Sequence, residues 1–159
     1  MQTSAKQAFS EQAKRVLDPY KIRFEEEMQE AFSQFGTQNG VREAMEYALK
    51  GNGKRFRPAL VYMVADGLKT GCNVTPAALA VEYFHTSSLI ADDLPCMDND
   101  DFRRGRATTH KVYGESVALL ASYALIASGF EQIAKNEAQD AEVSRLAVLQ
   151  ASRTMGVQG

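Results

Sequence analysis

Cysteine is scarce in this chain: 159 residues contain two, Cys72 and Cys96. Two thiols cannot build the multi-bridge framework of a small secreted domain, and their spacing matches no zinc ligand pattern. Net charge is small as well. Eighteen basic and 20 acidic residues leave −2 at pH 7, which argues against non-specific attraction to nucleic acid or to an anionic membrane. No uninterrupted apolar run reaches the roughly 18 to 20 residues that span a bilayer. The opening Met1-Gln2-Thr3-Ser4-Ala5-Lys6 lacks the apolar core of a signal peptide. These absences give the expectation of a cytoplasmic protein with no membrane span and no nucleic-acid partner. Strand signals are nearly absent too, which excludes sandwich, barrel and doubly wound folds.

What is present is helical. Apolar positions recur at three- and four-residue spacing over residues 20–35 and 41–49, separated by the breaker run Gly36-Thr37-Gln38-Asn39-Gly40. A new helix starts after Gly51-Asn52-Gly53 with Pro58 in its first turn, where a missing N–H costs little, and is expected to end at Gly71. Thr75-Pro76 opens another. Residues 115–134 form a long helix rich in Ala, Ser and Leu, whose small residues allow close helix contacts, and residues 141–155 form one more. The expected fold is one all-α domain over residues 1–159, a helical bundle. The sequence stops soon after an amphipathic helix, and the expectation is a portion of a longer protein whose later helices cover the faces left open.

The chemistry concentrates in Asp92-Asp93-Leu94-Pro95-Cys96-Met97-Asp98-Asn99-Asp100-Asp101, followed by Phe102-Arg103-Arg104-Gly105-Arg106. Carboxylates packed this closely repel one another unless a cation holds them. Hard oxygen ligands suit Mg²⁺, which binds through one or two carboxylates and completes its octahedron with water and phosphate oxygens. The arginines supply planar forks that recognise phosphate. Acid followed by base therefore reads as a metal together with the phosphate it carries, against the bland alternative of a solvated acidic turn.

A second basic cluster, Gly53-Lys54-Arg55-Phe56-Arg57-Pro58, puts three cations at a helix start, where free N–H groups add positive potential. His85 lies seven residues before Asp92, two helical turns away and so on the same face. Glu82-Tyr83-Phe84-His85 also fits Glu-x-x-His, a di-iron ligand pattern that needs a second such pair. The other histidine, His110, has Ala107 three residues before it, so that pair is missing.

Taken in order, residues 53–58, His85, the run from Asp92 through Asp98 with Arg103-Arg104-Gly105, and Thr108-Thr109-His110-Lys111 resemble the N-terminal half of a trans-isoprenyl diphosphate synthase. The resemblance implies the N-terminal portion of an isoprenoid-synthase-like helical bundle. It implies that Asp92 and Asp98 bind Mg²⁺ bridging an allylic diphosphate, with Asp93 supporting them, all three serving catalysis, and that Arg103 touches the same diphosphate. Lys54, Arg57, His85 and Arg104 would hold isopentenyl diphosphate. Ala91 and Ala107 depart from residues common in the family. The family's second aspartate-rich motif is absent, so half a site is expected here, and Gly156-Val157-Gln158-Gly159 is similar to the start of the segment leading to a substrate-binding glutamine.

The activity implied is prenyl transfer from an allylic diphosphate to isopentenyl diphosphate, by a homodimer when complete. A class I terpene cyclase shares the aspartate motif but needs no second diphosphate site, and a catalytically silent partner subunit would not need intact acidic ligands. Ser87 and Ser88 stand five and four residues before Asp92, roughly 6 to 7.5 Å deeper at 1.5 Å rise per residue. In the related family bulky side chains at this level stop growth at fifteen carbons. Two serines imply an open shaft and geranylgeranyl diphosphate, with farnesyl diphosphate as the alternative product.

Overall fold

The computed structural model describes residues 2–69, 71–135 and 141–156, with side chains from residue 11 onward. Among them the chain is helical apart from one short hairpin. The helices are α1 (Gln2–Ala31), α2 (Gly40–Leu49), α3 (Phe56–Leu68), α4 (Thr75–Asp92), α5 (Thr109–Tyr113), α6 (Glu115–Lys135) and α7 (Ala141–Met155). Strands β1 (Phe102–Arg103) and β2 (Arg106–Ala107) pair antiparallel, Phe102 opposite Ala107 and Arg103 opposite Arg106. The all-α expectation is met.

Three boundaries differ from the sequence reading. The first helix begins near residue 2 and runs through Pro19, and its apolar continuation tightens into a 3-10 turn at Phe32–Phe35. Residue 19 is exposed, so the proline ring meets water instead of a packed neighbour. Helix α3 ends at Leu68, before Gly71. Lys69 adopts a left-handed conformation (φ 51°) and donates its N–H to the carbonyls of Ala65 and Asp66, which closes the last turn. Asn39 caps α2 by accepting the amide of Arg42 at 3.0 Å.

Helix α4 is the axis of the bundle. Its buried Ala78, Leu79, Tyr83 and Ile90 meet Phe24 and Met28 of α1, Leu49 of α2, Tyr62 of α3 and Ala118, Ala121 and Leu125 of α6 in one core. Each large apolar side chain buried there contributes about 1.5–3 kcal/mol. Small residues let α4 and α6 approach closely, as their composition predicts, and the Ser122 hydroxyl donates to the Ser87 carbonyl across the contact at 2.9 Å. Gly129 of α6 is buried beneath the Phe84 ring, where a Cβ would lie 2.5 Å from Cε1.

Helix α6 corrects the reading of apolar runs. Its 21 residues are long and apolar enough to cross a membrane by length and composition; the serines and glycine scattered among its alanines and leucines interrupt the runs without making the helix polar. One face is in the core, and Leu120 and Tyr123 on another are more than half exposed. Helix α7 buries none of its residues.

Candidate active site

The C-terminal turn of α4 delivers the first acidic residues. Asp92 is half-buried, and the chain then loops through Pro95 and returns. The amide of Asp98 donates to the carbonyl of Asp92 at 2.8 Å, and the carbonyl of Leu94 accepts from the amides of Met97 and Asn99. Asn99 takes a left-handed φ of 55°, which asparagine tolerates well. The far end of the loop is pinned by Thr108, whose hydroxyl donates to the carbonyl of Asp100 at 2.8 Å. Lys111 pairs with Asp101 at 2.7 Å.

The five carboxylates consequently have different surroundings. Asp93 is buried and takes a two-pronged bond from Arg103, whose Nε lies 2.8 Å from Oδ1 and whose Nη2 lies 2.7 Å from the same oxygen. That bond first of all holds the Arg103 guanidinium above the usual arginine pKa. Asp93 thus meets Arg103, and Arg103, which the resemblance assigns to the allylic diphosphate, is held by protein on two of its three nitrogens. No hydrogen bond or ion pair among the described residues engages the carboxylates of Asp92 or Asp98.

No cluster of three or more His, Cys, Asp or Glu side chains able to cage a metal occurs among the described residues. Mg²⁺ does not require one, since one or two carboxylates suffice when phosphate and water complete the shell. Asp92 and Asp98, whose carboxylates have no protein partner among the described residues and whose main chains are joined by the backbone bond between them, fit that requirement.

Beyond the acidic loop, Arg104 and Gly105 form the two-residue turn of the hairpin, both with positive φ (52° and 79°). The turn carries Arg104 across to the glycine loop, where its Nη1 donates to the Asn52 carbonyl at 3.3 Å. His85, on α4, stands between two recesses. One is lined by Asn52, Gly53, His85, Arg103 and Arg104, and the other by Arg57, Leu60, Phe84, His85 and Ser88. Burial pushes the His85 pKa down, and the charges of Arg57, Arg104 and Arg103 push it the same way against Glu82. Both effects favour the neutral imidazole, which keeps one N–H to donate.

Of the sequence-predicted diphosphate ligands, Arg57, His85 and Arg104 come together around His85. Lys54 is exposed on the same loop and touches neither recess. The two serines separate. Ser88 is exposed toward the groove, whereas Ser87 is buried against α6 and its hydroxyl donates to the Phe84 carbonyl. Glu82, the acidic member of Glu-x-x-His, is paired with Arg55 at 2.7 Å with both side chains buried, so it is unavailable to iron. His110 is buried in α5, outside the groove, its Nδ1 3.2 Å from the Thr108 hydroxyl. Sequence reasoning passed over Arg55 and the contact of Arg106 on the Tyr47 ring, 4.1 Å from its centroid. The position of Glu82 one turn before His85 was the available signal for the former.

A bundle of helices around a groove, with an acidic rim at one end of α4 and a basic recess beside it, defines an isoprenoid-synthase-like site. Polyprenyl synthetase matches residues 38–158, and the chain belongs to that family. It is 44% identical over 146 residues to heterodimeric geranylgeranyl pyrophosphate synthase large subunit 2 of Arabidopsis thaliana, covering 89% of this chain and 39% of that protein. It is 49% identical over 123 residues to the chloroplastic geranylgeranyl pyrophosphate synthase of Capsicum annuum, covering 75% and 33%. Among solved structures, geranyltransferase from Legionella pneumophila superposes with a TM-score of 0.86 at 32% identity, over 94% of this chain and 54% of that one. Geranyltranstransferase from Thermotoga maritima gives 0.76 at 39% identity, over 87% and 50%. The chain thus spans a third to two-fifths of these curated relatives and about half of the solved ones.

Proposed function

We propose that the complete protein condenses isopentenyl diphosphate with an allylic diphosphate. The observation that carries this reading is the gathering of Arg57, His85 and Arg104 beside the rim formed by Asp92 and Asp98. One diphosphate needs cations and a neutral donor, and the other needs carboxylates that can hold Mg²⁺. Bound there, the metal would neutralise charge on the departing diphosphate. The protein's own part is placement. Arg57 and Arg104 attract the isopentenyl diphosphate, His85 donates to one of its oxygens, and the apolar groove along Leu60, Phe84 and Ser88 keeps water from the prenyl chains. Breaking the allylic C–O bond releases diphosphate with the bonding electrons, the alkene attacks the allylic carbon, and loss of a proton completes the new double bond.

The product we favour is geranylgeranyl diphosphate, supported by the names of the plant relatives and by Ser88, a small side chain at the groove. Farnesyl diphosphate is the alternative, favoured by the geranyltransferase names of the solved relatives and by Phe84 one turn deeper. We further propose a dimer formed through the exposed Leu119, Leu120 and Tyr123 of α6. A homodimer is the simplest form, and the heterodimeric relative names the other.

Incubating the complete protein with isopentenyl diphosphate, geranyl or farnesyl diphosphate and Mg²⁺ should give prenyl products one or more five-carbon units longer. Release of diphosphate with cyclised hydrocarbon would identify a cyclase instead. Activity only after adding a second subunit would identify a partner protein, and sedimentation would distinguish the two dimers.

A further inference from the structure

We infer that Arg55 is a positioning residue, whose buried guanidinium joins α1, α2 and α4 to the glycine loop and so sets the place of the isopentenyl diphosphate ligands relative to His85. The inference rests on the reading of this recess as the isopentenyl diphosphate site.

Among three cations in four positions, Arg55 alone turns inward. Lys54 and Arg57 are exposed, and Arg55 is 6% exposed. Its backbone makes the difference, with φ at 48°, a left-handed conformation that is unfavourable for a residue other than glycine. Such a conformation persists where the surroundings over-determine it, and here they do. Nε donates to Glu25 of α1 at 2.6 Å, and Nη1 donates to Glu82 of α4 at 2.7 Å. Nη2 donates to the carbonyl of Leu49, the last residue of α2, at 2.5 Å, and to that of Gly51 at 3.2 Å. All three nitrogens are engaged, and the four acceptors belong to three helices and the loop.

This is work for a planar fork and not for an ammonium. Two carboxylates already answer the Arg55 charge, so it is not available to attract a phosphate. Burial works against the charge, and the bonds to Glu25 and Glu82 more than offset it, keeping the guanidinium above its ordinary pKa.

Gly53 shows how closely the loop is held. A Cβ there would stand 2.8 Å from Nη1 of Arg55 and 3.3 Å from Nη1 of Arg104. The backbone is therefore gripped between an inward arginine on the core side and an outward one on the hairpin side. Glu82 precedes His85 by one helical turn, so the Arg55–Glu82 pair fixes the height of the loop against His85. If the grip loosens, the glycine loop and Arg57 lose register with the histidine while the acidic loop keeps its own supports.

The test uses the complete protein and compares Arg55→Lys and Glu82→Gln with the parent, each shown folded by circular dichroism at the assay temperature. Arg55→Lys keeps the charge but cannot reach four acceptors. It should raise KM for isopentenyl diphosphate about tenfold, with kcat and the allylic KM within about twofold, the split expected when binding of one substrate is lost. Glu82→Gln, nearly the same shape, should show the same split to a smaller degree and covers the case of an unfolded Arg55→Lys. Equal rises in both KM values, or a lower melting temperature with both KM values unchanged, would overturn the inference. Should the parent enzyme condense nothing, the proposed function fails, and calorimetric titration with inorganic pyrophosphate still tests Arg55. Binding about tenfold weaker in Arg55→Lys supports the positioning role, and equal binding rejects it.

Discussion

The amide of Asp98 lies 2.8 Å from the carbonyl oxygen of Asp92, so residues six apart in sequence close a loop whose two ends are acidic. The main chain brings the two residues together, independent of any bond between their side chains. Asp92→Asn and Asp98→Asn should leave this loop intact, because the backbone atoms that close it remain. In the complete enzyme kcat should fall by about 100-fold or more, with much smaller changes in the KM values, since the lost interaction is with charge that develops in the transition state. Steady-state kinetics against both substrates checks this, and turnover within about threefold of the parent would remove both residues from the metal site.

Ser87 and Ser88 should respond oppositely to the same substitution. Ser88→Phe extends a ring into the groove beside Phe84 and should shorten the product, read by chromatography of the dephosphorylated prenyl alcohols. Ser87→Phe forces a ring into the packed contact with α6 and should destabilise by about 1–3 kcal/mol or more, read by denaturant unfolding. A shortened product from Ser87→Phe with stability unchanged would show that Ser87 faces the substrate.

Gly129→Ala places a methyl group 2.5 Å from Cε1 and 2.8 Å from Cζ of Phe84. The ring also packs edge-on against Phe130, with centroids 5.1 Å apart, so moving it aside disturbs a second contact. A loss of about 1–3 kcal/mol is expected, as for other overpacked cores. Gly129→Ser should be at least as costly, and unchanged unfolding midpoints for both would mean that Phe84 is free to swing away.

His85 gives stability a pH dependence of definite sign. Its folded pKa lies below the ordinary imidazole value of 6.5, so the unfolded chain binds the proton more readily. Well above pH 6.5 both states are neutral at this residue and it contributes no pH dependence. As pH falls through 6.5 and then through the folded pKa, protonation increasingly favours unfolding. His85→Gln should flatten the melting temperature over that window, and a slope equal to the parent's would assign the dependence elsewhere.

Much of the bundle was legible because helix period and helix ends agree. The spacing of apolar residues in α2, the run of Ala, Ser and Leu in α6 and Thr75-Pro76 at the start of α4 each state a local preference that packing reinforces. The first half of α1 was hidden by Pro19, which reads as a stop, and by the lack of an apolar stripe before it. The hairpin was hidden because its turn begins with arginine, where asparagine or glycine would have announced a positive φ. Arg55 was indistinguishable from Lys54 and Arg57, since a left-handed backbone reverses the side chain without any mark in composition. Ser87 and Ser88 look equivalent as a pair, but neighbours on a helix are turned 100° apart.

Arg104 occupies a position where two requirements select different residues. The turn asks for glycine or asparagine, which accept a positive φ without strain, and the proposed diphosphate site asks for a cation that can reach Asn52 and a phosphate. The chain retains arginine, and with it a locally unfavourable backbone at the mouth of the groove. Under the function proposed above, arginine here is poorly chosen for folding and well chosen for ligand capture. A search for more stable sequences guided by folding alone would replace it early, and the resulting protein would be sturdier and worse at its task.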